Sequence, residues 1–219
     1  MGRQHSRVLL TPVPSSRGPL QLDRLVDRFS QRDDVETVYE DESWFSPLKV
    51  PRLRAFSRQG DPHRIPARRR FKKGDPRSLV VYGALRLSDR SVDVWCSDGY
   101  PNSTRTRAFL NHLLRGATRA GKRWLVVIWD NASFHISKIL KNWMRRYNRW
   151  ARKHGRTRIV PYQLPTASPW LNPIEPHWLH CKRAVYAVDH IPTIEEIRHA
   201  VDDYFDIRNA QHARNAGNS

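Results

Sequence analysis

Three carboxylates, Asp41, Asp130 and Glu175, fall where separate structural elements can bring them together. Converging acids of this kind can hold two divalent cations, and such a pair activates water and stabilises the leaving oxygen in phosphodiester cleavage. Asp130 stands out first. It ends the stretch 122–130 (KRWLVVIWD), in which the apolar run 124–129, bounded by charge on both sides, reads as a central strand buried on both faces. A side chain at the carboxyl end of such a strand faces the ligand crevice of an open α/β sheet. The position equally suits a plain cap of the helix that starts near Ile136. Asp41 ends a strand at 35–44 (VETVYEDESW), flanked by Glu40 and Glu42; three adjacent acids imply a cation or basic partner, or simple solvation at a strand end. Glu175 follows Pro173 on the first turn of a late helix, a place that acids also favour for the helix dipole alone.

The elements needed to position these residues are legible in order. Residues 20–29 have the spacing of one short amphipathic helix, and 79–87 and 91–96 form two strand-like runs joined by Ser88, Asp89 and Arg90 as a hairpin. A helix over 104–120 is stopped by Gly121. Residues 136–154 predict a helix with Ile136, Ile139, Leu140, Trp143, Tyr147, Trp150 and Ala151 on its buried stripe. Residues 157–164 read as a strand whose Pro161 suits an edge or bulged position. A capping box, Thr193 with Glu196, opens a closing helix over 193–208. Strands and helices in this order predict an α/β architecture, a mixed sheet with helices packed on it.

The chain has 219 residues and a formal charge of +18. Half of that excess lies in residues 49–77 and half in 136–158, with the remainder balanced. Basic excess concentrated in two patches is the footprint of a polyanion-binding surface. The candidates in the first patch are Arg68, Arg69, Arg70, Lys72 and Lys73, within a long Pro-containing stretch. In the second, Lys138, Lys141, Arg145, Arg149 and Arg152 form a ridge opposite the apolar stripe, uninterrupted by acids and able to lie along a phosphate backbone. No stretch approaches the length of a membrane span, so no membrane partner is expected. Cys96 and Cys181 make neither a CxxC pair nor a zinc quartet and read as reduced thiols; together with the basic patches, this predicts a cytoplasmic, DNA-associated protein.

Asp41-Glu42-Ser43 after a strand, then VVIWDNASFH, then LPTASPWLNPIEPHW, resemble the three catalytic blocks of mariner-like DDE transposases and their bacterial insertion-sequence relatives. The resemblance spans roughly 35–188. It implies a ribonuclease H-like fold, a mixed five-stranded sheet with flanking helices, and assigns Asp41, Asp130 and Glu175 as metal ligands and catalytic residues. It gives Asn131, His135, Ser168 and Asn172 supporting roles, although Asn172 equally suits a turn. It further implies Mg2+ or Mn2+, two ions, acting on double-stranded DNA at transposon ends and targets, with cleavage followed by strand transfer.

The implied organisation is a leader with one short helix over 1–34, a catalytic domain over 35–190, and a C-terminal helix and tail over 191–219. Only forty residues precede Asp41, too few for the helix-turn-helix region of such relatives. The expectation is therefore a catalytic half with a separately encoded N-terminal part, or a truncated copy. Asp130 and Glu175 stand 45 positions apart, a longer spacing than mariner-like elements usually show, and the basic helix accounts for the extension. A homodimer and the role of Glu40 and Glu42 are left open. Two other readings remain at this stage: a catalytically silent DNA-binding remnant, and another ribonuclease H-like nuclease.

Overall fold

The computed structural model describes residues 19–47, 77–166, 168–188 and 190–217. Its elements are α1 (Pro19–Ser30), β1 (Val35–Phe45), β2 (Leu79–Arg86), β3 (Val92–Asp98), α2 (Ser103–Arg119), β4 (Trp124–Trp129), α3 (Lys138–Lys153), β5 (Arg158–Gln163), α4 (Glu175–Val185) and α5 (Ile194–Gly217). A 3₁₀ turn, Pro169–Leu171, leads into α4. The strands form one sheet in the order β3-β2-β1-β4-β5. β1, β2 and β3 pair antiparallel, whereas β1 with β4 and β4 with β5 are parallel. This is the mixed five-stranded sheet with flanking helices that the sequence predicts.

Both sheet faces are covered, which explains why β2 and β4 are nearly continuous apolar runs. Val126 and Ile128 of β4 enter one core with Leu22 and Phe29 of α1, Trp178 of α4 and Val201 and Phe205 of α5. Leu125, Val127 and Trp129 enter the other, with Phe109, Leu113, Leu140 and Trp143 of α2 and α3. β4 therefore lies inside the sheet as expected, but the middle strand is β1. Pro161 lies on edge strand β5, where its missing N–H breaks no second ladder.

Several boundaries shift for local reasons. β1 continues to Phe45 because it stays paired with β2 as far as Leu79, so Asp41 sits within the strand, opposite Gly83, and not at its end. α2 starts after Asn102, whose side chain accepts from the backbone N–H groups of Thr104 and Arg105. It ends before Gly121, which takes the left-handed conformation (φ 72°) that favours glycine. α3 starts after Ser137, its cap, leaving Ile136 outside the helix. The buried stripe of α3 is narrower than predicted: Leu140, Trp143, Met144 and Ala151 are buried, while Ile139 is 74% and Trp150 47% exposed. The predicted capping box of α5 forms in both directions, Thr193 N–H to Glu196 Oε2 at 2.6 Å and Glu196 N–H to Thr193 Oγ1 at 3.0 Å. α5 then runs past Arg208 to Gly217. No described helix is long and apolar enough to cross a membrane.

Candidate active site

The alternation of β1 separates its three adjacent acids. Asp41 shares a parity with Tyr39 and Phe45, which enter the α4–α5 core, whereas Glu40 and Glu42 share that of Val38, which enters the α2–α3 core. Only Asp41 faces the cleft. Its Oδ2 accepts the indole N–H of Trp178 at 3.0 Å, and Trp178 can come so close because position 83 of β2 is glycine. A Cβ on Gly83 would fall 2.5 Å from the indole ring. Burial, followed by the charges of Glu175 and Glu42, pushes the Asp41 carboxyl up to about 7. A half-buried carboxyl that resists ionisation beside other acids is a site that a cation would relieve.

Asp130 follows β4 directly. Its Oδ1 accepts the backbone N–H of Ala132 at 2.8 Å and stands 2.9 Å from His135 Nδ1. The helix-capping alternative is thus met in another form: Asp130 ties the turn after β4, while Ser137 caps α3. The hydrogen bond from His135 holds the Asp130 carboxyl below its ordinary range. Glu175 is the exposed first residue of α4, and Pro176 follows it where the helix lacks a partner for an N–H anyway.

Asp41, Asp130 and Glu175 line one cleft of about 350 Å³ with Asn131, Ser168 and Asn172. Asn131 donates to the Leu164 carbonyl at 2.7 Å, joining the β4 and β5 ends, and Ser168 Oγ contacts the Thr166 carbonyl at 3.4 Å. The buried amide of Asn172 donates to the Glu40 carbonyl at 3.3 Å, pinning the SPWLNPIE turn to β1. Asn172 is therefore more than a turn residue. The three acids supply hard oxygen donors, the set that suits Mg2+ or Mn2+. Their oxygens are more widely spread than those of a second group: among the described residues, the trio with ligand atoms all within 4.8 Å is Glu40, Glu42 and His135.

His135 lies behind the cleft and does not line it. Its ring stacks on Trp129 with centroids 4.6 Å apart and planes 6° from parallel, and Nε2 points at Glu40 and Glu42. Burial opposes a charge on this ring, yet Glu40 and the hydrogen bonds to Asp130, Glu40 and Glu42 raise its pKa well above 6.5. Burial and then the charge of Glu40 push Glu42 up to about 8. Sequence reasoning missed Trp178 altogether; its position three residues after Glu175, one helical turn on, is the signal that could have found it. The ridge residues Lys138, Lys141, Arg145, Arg149 and Arg152 are all exposed on α3. Arg68, Arg69, Arg70, Lys72 and Lys73 lie outside the described residues.

Residues 36–198 match the family model of the DDE superfamily endonucleases. The chain belongs to that family. Comparison with solved structures finds the same fold. The Mos1 mariner paired-end complex with Mn aligns at a TM-score of 0.54 and 18% identity, covering 89% of this chain and 57% of that one. A pre-cleavage Mos1 transpososome gives 0.53 and 17%, covering 84% and 52%. The Mos1 transposase paired-end complex with the left transposon end gives 0.52 and 16%, covering 89% and 57%. At these identities the likeness is one of fold, and this DDE chain spans about half the length of those Mos1 chains. No curated protein matches the sequence.

Proposed function

We propose that this chain is the catalytic domain of a DNA transposase, cleaving phosphodiesters at transposon ends and transferring the freed strand into target DNA. The observation that carries this reading is the single cleft in which β1, the end of β4 and the start of α4 present Asp41, Asp130 and Glu175, in a chain of the DDE family. Divalent cations, two Mg2+ or Mn2+, would be held by these three acids and would supply charge neutralisation and an activated water. The chain's own residues prepare the donors. Trp178 fixes Asp41 through Oδ2 and leaves Oδ1 uncommitted to it, while Ala132 and His135 fix Asp130 through Oδ1 and leave Oδ2. Asn131 and Asn172 hold the loops that carry Asp130 and Glu175 against β5 and β1. Carboxylates already oriented lose little entropy on binding, which is how rigid sites favour phosphoryl transfer.

Double-stranded DNA is the proposed substrate, lying along Lys138, Lys141, Arg145, Arg149 and Arg152. Residues 35–190 would form the catalytic part, between a leader over 1–34 and a C-terminal segment over 191–219. The active assembly would be a homodimer. Nicking of supercoiled plasmid in Mg2+ or Mn2+ tests the catalytic claim. The expected result is metal-dependent nicking that Asp130→Asn and Glu175→Gln each abolish while duplex affinity stays within a few-fold. Nicking retained in either variant removes that residue from the site. Duplex binding with no nicking by the parent chain points either to a catalytic domain that needs a recognition partner or to a silent DNA-binding remnant.

A further inference from the structure

We infer that Glu40, Glu42 and His135 form a second metal site, buried on the opposite sheet face from the cleft and suited to a zinc-class cation. The proposal stands on geometry and charge. His135 Nε2 lies 3.2 Å from Glu40 Oε2 and 3.2 Å from Glu42 Oε1. Ligands held about 2.0 Å from a tetrahedral centre are about 3.3 Å from one another, a spacing that both contacts of His135 match, and all three ligand atoms lie within 4.8 Å of one another. The three side chains are 1%, 0% and 7% exposed. Oε1 of Glu40 has no hydrogen-bond partner among the described residues and Oε2 has only the His135 imidazole, although both are sealed from water. A native fold rarely leaves a fully buried carboxylate in that condition without a partner that hydrogen bonds do not reveal.

Charge arithmetic points to the same partner. Two buried carboxylates face one imidazole, which even when charged offsets only one of them. A divalent cation with a neutral imidazole neutralises both. His135 is arranged as metal-binding histidines are: Nδ1 is directed at a carboxylate, Asp130 Oδ1 at 2.9 Å, which leaves Nε2 to the metal, and Trp129 fixes the ring plane. An imidazole nitrogen selects zinc-class cations over Mg2+, whereas the all-carboxylate cleft selects Mg2+ or Mn2+. One chain would then carry two chemically distinct sites that share Asp130 as a link.

The test is metal content and metal affinity, independent of nicking. The full chain is stripped with a chelator, checked for folding by circular dichroism, and titrated with Zn2+ in the presence of millimolar Mg2+, with bound metal counted by mass spectrometry. Co2+ replaces Zn2+ in a parallel titration read by visible absorption. One Zn2+ per chain that excess Mg2+ does not displace, and a tetrahedral Co2+ spectrum, are expected. Glu42→Gln, a near-isosteric change, should weaken Zn2+ binding at least tenfold, whereas Glu175→Gln in the cleft should leave it unchanged. A folded chain that takes up no Zn2+ overturns the proposal and leaves a proton to be shared between the two glutamates. Zn2+ binding lost in Glu175→Gln and kept in Glu42→Gln overturns it too, by placing the metal in the cleft. A chain inactive in nicking that still binds one Zn2+ sustains this site and refutes only the catalytic reading.

Discussion

Asp41 is the residue on which sequence and structure agree least simply. The string Glu40-Asp41-Glu42 offers three acids of equal standing, and only the alternation of a strand longer than expected decides which of them meets Glu175. That decision has a measurable consequence in pH. Asp41 ionises at about 7 in the fold against an ordinary 3.8, so between those values the native state holds a proton that the unfolded chain has already released. Without divalent cations, its contribution to stability therefore falls as pH rises from about 4 to about 7, and changes no further above that. Melting temperatures in chelator should show Asp41→Asn gaining on the parent chain across this window. A constant difference between the two would remove the linkage. Spacing places Trp178 one helical turn from Glu175, but its partner Asp41 was not legible, because the indole N–H meets it only through the α4–β1 packing, a contact between residues far apart in the chain.

At the scale of elements, the close fit of α4 on the sheet depends on Gly83. Ala at this position places a methyl carbon against the buried Trp178 ring, which has no free end to swing aside. Gly83→Ala should destabilise the fold by about 1–3 kcal/mol, as overpacking does, read as a lower urea midpoint. An unchanged midpoint would mean that α4 shifts without cost. On the other side of β2, Arg86 joins three strands through Glu36 of β1 at 3.3 Å and Asp93 of β3 at 2.6 Å. Arg86→Met should cost about 3–5 kcal/mol because it strands the buried Glu36 charge, and adding Glu36→Gln should recover most of the loss. No recovery in the double variant would show that Arg86 acts through packing alone. Helix α3 was legible in kind but not in detail. Periodicity located its basic ridge, yet it could not say that the sheet covers too narrow a stripe to bury Ile139 and Trp150. If five ridge cations each meet a phosphate, the logarithm of duplex affinity should fall with that of salt at a slope of about −4.5, and each Arg→Ala change should flatten it by about 1. A slope insensitive to these changes would move the DNA elsewhere.

For the molecule as a whole, the architecture was readable because a doubly covered sheet writes itself into sequence as apolar runs separated by amphipathic helices. The order of strands was not, since nothing local distinguishes the middle strand from its neighbour; β4 has the stronger apolar run and β1 takes the centre. The position of β1 also governs how the site comes into being. It is the earliest strand among the described residues, yet Val38 finds its partner at Arg86 and Val35 finds its own at Trp124. Both edges of the strand that carries Asp41 thus remain unsatisfied until distant segments arrive. Such non-local pairing makes assembly slow and cooperative. During synthesis the emerging β1 waits, with open hydrogen-bonding edges, for β4 to leave the ribosome, so this strand is where a chaperone gains most by binding and where a stalled or shortened chain would first aggregate.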